Sequence, residues 1–399
     1  MPYPEVLVLL GVLSVATGCA HGLARWRPPP PPAPFAAIDG LRGYLALMVF
    51  VHHGAVWWGY LPTGQWQQPP SRLMNNLGEG SVALFFMITA LLFGHKLLQA
   101  RGQPIDWLRL LVSRVLRLTP LYLVAMACLF TLVAVVSGGR LQSPLPQVLL
   151  DALRWLLFAI PGVPDLNGVT ATYVMVAGVV WSLTYEWAFY AALPWLAMAL
   201  GQRVGARWLL ASALLLATIG LLAAWQHLLQ LRYLVPFMAG LAVCGLVRWP
   251  CFVQRARGRV ATLLLLGLLA TGFLARPWVY SPVPMLALAG AFALLAAGND
   301  LFGLLRSRAA RTLGEMSYGL YLLHGLLLYT LMRVMTDARG WSAGAFALAQ
   351  LALVPVLVGL CFAAHRLVER PAMQRVDAAT GRLRSPRRRQ ADLSSPRLR

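Results

Sequence analysis

Residues 38–54 read IDGLRGYLALMVFVHHG, an apolar run that starts with an acid and a base and ends with two adjacent histidines. Arg42 and His53 are eleven residues apart, so on an α-helix their side chains fall within about 20° of one face, about 16 Å apart along the axis. In a bilayer whose apolar core is about 30 Å thick, Arg42 would lie at one interface and His53 past the middle. A histidine at that depth either serves the function or holds two helices together.

The composition defines the class of protein. The chain has 399 residues, of which 59% are hydrophobic and 12% charged, and its mean hydropathy is +0.66. These values exclude a soluble globular or disordered protein and predict an all-α, polytopic membrane helix bundle. The net charge of +21 comes almost entirely from arginines between apolar runs, so we expect it to set membrane topology and predict no nucleic-acid partner. The five cysteines lack metal-ligand spacing, and we expect no metal.

Apolar segments divide the chain into one extra helix and a ten-helix body. Residues 1–27 contain an apolar run whose arginines follow it, unlike those of a signal peptide, and predict an extra N-terminal transmembrane helix. Residues 28–34 form a polyproline linker, and residues 373–399 are expected to be a basic, disordered cytoplasmic tail. Ten spans are predicted in the body, at about residues 40–60, 80–99, 118–137, 174–199, 207–224, 231–247, 260–275, 281–297, 314–335 and 342–365.

The distribution of basic residues orients these spans. With strict alternation, 27 of the 34 Lys and Arg residues fall on one side and 7 on the other. Because basic residues collect in the cytoplasm, we predict that the C-terminus is cytoplasmic and that Met1 lies outside. The amphipathic residues 148–160 are expected to form a helix on the outer surface. The predicted location is the inner membrane of a bacterium, in contact with its lipids.

Polar residues inside or beside the apolar spans are the candidates for chemistry. Arg114 and Arg117 lie one turn apart and suit bidentate phosphate binding, although ordinary positive-inside flanking also explains them. Glu186 lies within a span, either to contact a substrate or to pair two helices. Ser317, Tyr321 and His324 share one helix face. For Phe85, Phe86 and Thr89 we expect helix packing.

Together these stretches resemble a known family. DGLRG with a histidine eleven residues after its arginine, FFMITALLF, RVLRLTPLY, WSLTYEWAFYAALP, LGEMSYGLYLLHG and HRLVERP occur in this order. They are similar to motifs of the membrane acyltransferase family 3, bacterial O-acyltransferases that modify surface polysaccharides, lipopolysaccharide and antibiotics. The resemblance covers about residues 35–372. It implies that Arg42 and His53 match the family's Arg-x10-His pair, Arg114 and Arg117 its Arg-x-x-Arg, and that Glu186 and His324 match its glutamate and late histidine.

One motif departs from the family pattern. Thr89-Ala90-Leu91 stands where the family usually has Ser-Gly-Phe. A lost glycine removes a place where two backbones can approach closely. We therefore expect a difference in helix packing or in the fit of the acceptor.

The predicted mechanism uses a basic entrance that leads to a buried imidazole. Arg42, Arg114 and Arg117 are expected to hold the phosphates of acetyl-CoA, the acyl donor, while its thin arm reaches His53. His53 would act as general base toward an acceptor hydroxyl or carry the acyl group itself. Glu186 would orient His53 or the acceptor. His324 and Asp39 complete the site: His324 is expected to add a polar contact, and Asp39 to pair with Arg42.

Two other classes of function stay open at this point. A proton-coupled transporter or flippase of an envelope precursor would also bury His, Glu and Arg, but the sequence shows no inverted repeat. A scaffold subunit would use the same residues only to hold helices together. The predicted partners are acyl-CoA and a glycan or glycolipid acceptor.

Overall fold

The computed structural model describes residues 3–29, 35–100, 102–225 and 230–384. These residues form a helical bundle without a β-strand, which confirms the predicted all-α class. Most of the linker, residues 30–34, lies outside the described residues. The longer helices are α1 (Glu5–Trp26), α2 (Ala36–Thr63), α3 (Arg72–Gln99), α4 (Trp107–Val136), α5 (Leu145–Leu156), α6 (Trp181–Ala199), α7 (Ala206–Trp225), α8 (Val235–Leu246), α9 (Pro250–Ala256), α10 (Arg259–Leu274), α11 (Pro282–Ala296), α12 (Arg308–Glu315), α13 (Ser317–Tyr329) and α14 (Ala343–Ala364).

Several of these helices meet the length and hydropathy that a membrane crossing requires. Five segments of the described chain qualify: Glu5–Trp26, Arg72–Gln99, Trp107–Val136, Ala206–Ala224 and Ala343–Leu383. A further pair, Leu231–Leu246 and Pro250–Ala256, qualifies together but is bent by 107°. Each of the ten predicted body spans overlaps a helix. A polytopic helical bundle therefore describes the fold.

Glycines on both sides bring α2 against α12 and the turn that precedes it. A Cβ added at Gly40 would lie 1.9 Å from the carbonyl oxygen of Leu305, and one at Gly314 would lie 1.8 Å from that of Asp39. Neither distance is sterically allowed, so only glycine permits this backbone approach. The close crossing fixes Asp39, and Arg42 one turn later, beside α12 and α13.

The extra helix α1 packs onto the body through one narrow face. Its buried residues recur every fourth position and are small: Val8, Val12, Ala16, Ala20 and Ala24. They face α12, α14 and α2. Near the start of α1, the Tyr3 hydroxyl donates a hydrogen bond to Gln350, and Ser71 donates one of 2.5 Å to Glu5.

Three segments differ from the sequence-based expectation or refine it. The span predicted at 174–199 becomes a helix only from Trp181, because residues 172–176 form a 3-10 turn between the left-handed residues Ala171 and Ala177. Residues 148–160 contain the second half of α5, whose exposed leucines fit the predicted amphipathic helix. Within the expected disordered tail, Val376–Leu383 is helical and packs against α4. Residues 385–399 lie outside the described part.

Candidate active site

A cavity of about 570 Å³ lies between α2, α3, α4, α6 and α13. Four arginines line it: Arg42, Arg114, Arg117 and Arg311. Asp39, Glu186 and Glu315 add three carboxylates. We call this cavity the arginine pocket. It brings together five of the seven predicted site residues.

Sequence reasoning missed several residues of the arginine pocket. Phe85 and Phe86 pack in the core as predicted, Phe86 in a stack with Phe237 of α8 at 4.5 Å. Together with Thr89 they also line the pocket, a position that the sequence did not indicate. The other residues without a predicted site role are Tyr190, Arg311, Glu315, Tyr318 and His365, of which the last lies in the quoted HRLVERP motif.

Arg114 is held by aromatic rings. Its guanidinium carbon lies 5.1 Å from the ring centre of Phe93 and 5.9 Å from that of Tyr190. Cation–π contacts of this kind orient the planar group. Tyr190 also donates a hydrogen bond to Glu186. Glu186 thus belongs to the arginine pocket, and through Tyr190 it is connected to Arg114.

Arg117 is held by a buried carboxylate. Its Nη1 lies 2.9 Å from Oε2 of Glu369, whose side chain is 0% exposed. Nδ1 of His365 lies 3.7 Å from the same oxygen. His365 and Glu369 are the first and last residues of a π-helical turn at the end of α14. Such turns are frequent at functional sites. The C-terminal motif HRLVERP therefore positions one of the pocket's cations.

Asp39 and Arg42 do not form the predicted ion pair, since none of the ion pairs of the described residues joins them. The two charges interact electrostatically, and Arg42 interacts in the same way with Arg117 and Glu186 across the pocket. The charge of Arg42 therefore interacts with several residues of the pocket rather than with Asp39 alone.

His53 and His324 form a pair of their own. Nε2 of His324 lies 3.0 Å from Nδ1 of His53, although 271 residues separate them. The pair is not part of the pocket lining. The hydrogen-bond partner of His53 in the structure is thus His324, and the predicted role of Glu186 toward the acceptor stays a prediction.

The neighbouring carbonyl groups assign the protons of this pair. His324 Nδ1 lies 2.9 Å from the carbonyl oxygen of Leu320, which only accepts, so this nitrogen donates and its Nε2 accepts. His53 Nδ1 faces two acceptors, His324 Nε2 and the carbonyl oxygen of Val49 at 3.1 Å. With both rings neutral, His53 carries its hydrogen on Nδ1. Its Nε2 then keeps the lone pair that a base or nucleophile needs, and the backbone of Ala177 is a further hydrogen-bond partner of this imidazole.

Tyr321 stands between the arginine pocket and the histidine pair. Its side chain lines the pocket, and its ring centre is 6.3 Å from that of His324. The Tyr321 hydroxyl donates to the carbonyl oxygen of Val179 at 2.9 Å and lies 2.8 Å from Oγ of Ser182. The expected open passage from the arginines to His53 is therefore closed in this conformation by an aromatic side chain that contacts both sites.

The departure Thr89-Ala90-Leu91 has a structural counterpart. A Cβ added at Gly240 of α8 would lie 2.9 Å from Cβ of Ala90 and 2.3 Å from the carbonyl oxygen of Met87. α3 and α8 thus approach closely at Ala90 through the glycine on α8. The expected difference in helix packing or in acceptor fit stays a prediction.

A bundle of membrane-length helices around a pocket lined by arginines is typical of a multi-pass membrane protein. The sequence profile described as an acyltransferase domain, that of acyltransferase family 3, matches residues 35–366. The chain belongs to this family and is a membrane acyltransferase. It is 27% identical over 385 residues to the acyltransferase MdmB of Streptomyces mycarofaciens, covering 87% of this chain and 93% of that protein. No solved structure matches the chain.

Proposed function

We propose that this protein transfers an acyl group, with acetyl as the expected group, from acyl-CoA to a hydroxyl of a cell-envelope glycan or a similar acceptor. The observation that carries the proposal is the adjacency of two sites: a pocket lined by four arginines, and a histidine pair, with Tyr321 in contact with both. A donor with an anionic head and a long thin arm fits that arrangement.

The donor's phosphates are assigned to the arginine pocket. Arg42, Arg114 and Arg117 present planar groups that bind phosphate in a bidentate manner. Asp39 and Glu315, which also line the pocket, limit its positive charge and favour release of the product CoA. Apolar side chains of α3 line the wall beside the arm.

The histidine pair is assigned to the transfer step. As the acceptor hydroxyl attacks the thioester carbonyl carbon, its proton moves to Nε2 of His53. The new C–O bond forms, the C–S bond breaks, and the proton passes to the leaving CoA thiolate, giving an ester and free CoA thiol. His324 accepts from the Nδ1–H of His53 and so stabilises the imidazolium that forms. The same Nε2 is also the atom that would attack in a two-step reaction through an acyl-imidazole.

The bias of the basic residues supports an orientation for this reaction. We assign the arginine pocket to the cytoplasmic side of a bacterial inner membrane, where acyl-CoA is made, and the histidine pair to the outer half. Arg311 and Met373 at the pocket wall belong to segments on the arginine-rich side. The N-terminus then lies outside and the C-terminus inside.

Purified protein in lipid nanodiscs with [¹⁴C]acetyl-CoA tests the proposal. We expect the wild type to move label onto glycoconjugates extracted from a strain that lacks the gene. His53→Ala should bind CoA with unchanged affinity, measured by calorimetry, and transfer no label. Undiminished transfer by His53→Ala would refute the assignment. Absence of label from both the glycan and the protein would instead refute acyl transfer and favour a transporter.

A further inference from the structure

The connection between α2 and α3 folds back over the histidine pair. It comprises residues 64–71, GQWQQPPS, and begins at Gly64, whose φ of 68° ends α2. α2 continues for ten residues past His53, about 15 Å along the axis. Even so, the indole of Trp66 returns to 6.2 Å from the imidazole of His53, ring centre to ring centre, with 18° between the planes. Trp66 is thus placed over the proposed base, on the side away from Arg42.

Aromatic side chains complete the surroundings of Trp66. Trp57 and Tyr60, one and two turns after His53 on the same face of α2, each lie 5.5 Å from the Trp66 ring. Nε1 of Trp57 is buried and has no hydrogen-bond partner among the described residues. A buried N–H group of this kind forms its missing hydrogen bond when a ligand places an oxygen atom next to it.

Trp66, which covers the His53 ring, lies outside the arginine pocket. His53 is only partly buried, yet it does not line the arginine pocket. A molecule that reaches His53 without passing Tyr321 therefore approaches under Trp66. In a two-substrate reaction, this is the entrance left for the second substrate.

The loop's chemistry indicates what that substrate is. Residues 64–71 contain no charged side chain, and the amides of Gln65, Gln67 and Gln68 are exposed. Gln68 donates a 2.8 Å hydrogen bond to Glu79, whose other carboxylate oxygen is buried without a hydrogen-bond partner among the described residues. Amides and aromatic faces suit a ring with both C–H and hydroxyl surfaces, whereas the carboxylate disfavours an anion.

We propose that Trp66 and its loop bind the acceptor, and that the acceptor presents an uncharged sugar ring or a polyhydroxylated ring of similar shape. The ring stacks on the Trp66 indole with one hydroxyl toward His53. This inference rests on the proposed acyl transfer and adds the substrate class and its binding residue. Trp66 acts in binding and takes no part in proton transfer.

The test measures acceptor and donor affinities separately. Transfer of [¹⁴C]acetyl to a serial dilution of glycoconjugate extract from the gene-deletion strain gives an apparent acceptor KM, and calorimetry gives the Kd of CoA. Trp66→Ala should raise the acceptor KM by about tenfold to a hundredfold and leave the Kd of CoA unchanged, and Trp66→Phe should recover most of the loss. Trp58→Ala is the matched control, because the Trp58 ring packs on Tyr3 and Phe346 instead.

Three competitors with one alkyl chain test the acceptor class. Octyl glucoside should inhibit transfer to the extract more strongly than octyl glucuronide or octanol, and Trp66→Ala should abolish this preference. Equal inhibition by the three compounds, or an unchanged acceptor KM in Trp66→Ala, would overturn the inference and leave acyl transfer intact. Absence of label transfer by the wild type would instead refute the proposed function.

Discussion

The Arg117–Glu369 ion pair is expected to respond asymmetrically to the loss of either partner. Glu369 is 0% exposed and the Arg117 side chain is 19% exposed, at an N–O distance of 2.9 Å. Arg117→Gln leaves a carboxylate without contact with water, a defect that costs about 3–5 kcal/mol. Glu369→Gln leaves a guanidinium that still reaches the cavity, so the expected cost is smaller, about 1–3 kcal/mol. In the double variant neither charge remains, and most of the loss should be recovered.

Thermal unfolding of the purified variants, followed by tryptophan fluorescence, measures this asymmetry. We expect Arg117→Gln to unfold at the lowest temperature, and Glu369→Gln and the double variant at higher ones. Arg339→Gln is the control, because Arg339 pairs with Asp337 at 2.6 Å and both side chains are more than half exposed. Solvent screening makes the contribution of such an ion pair to stability small. If the double variant unfolds below Arg117→Gln, the two charges are not coupled and the reasoning is wrong.

Three further predictions follow from the site. His324→Ala should lower single-turnover transfer about a hundredfold or more, since the base loses its orienting acceptor, and should leave the Kd of CoA unchanged; a Kd that rises in parallel contradicts this role. Arg114→Lys should weaken CoA binding about tenfold in calorimetry, because the ammonium keeps the charge but loses the planar stacking; unchanged affinity would remove Arg114 from the donor site. Gly314→Ala should lower both thermal stability and CoA affinity through the 1.8 Å clash. Gly59→Ala, with nothing within 4 Å of the added carbon, should do neither.

The class of fold and most of the pocket could be predicted because both produce patterns that are visible along the sequence. Apolar runs of membrane length predict helices wherever they occur. Placing a charged residue inside or beside such a run costs free energy, so its presence there indicates a functional site. For this reason Arg42, Arg114, Arg117 and Glu186 were identified from the sequence and are found around one cavity.

The pairings could not be predicted, because they depend on how distant helices pack. Nothing in the sequence indicates that His53 contacts His324 rather than Glu186. Only the way in which α2 packs against α13 determines that partner. The same holds for the close contact between the glycine on α8 and Ala90 on α3. The i, i+3 spacing of Asp39 and Arg42 brings their charges into electrostatic interaction but not into an ion pair.

A cryo-electron microscopy structure with CoA bound tests the central claim most directly. The account predicts phosphate density against Arg42, Arg114 and Arg117, and a pantetheine arm that displaces the Tyr321 ring and brings its sulfur into contact distance of His53. Phosphates bound elsewhere, or an arm that leaves Tyr321 in place and ends in the arginine pocket, would contradict it.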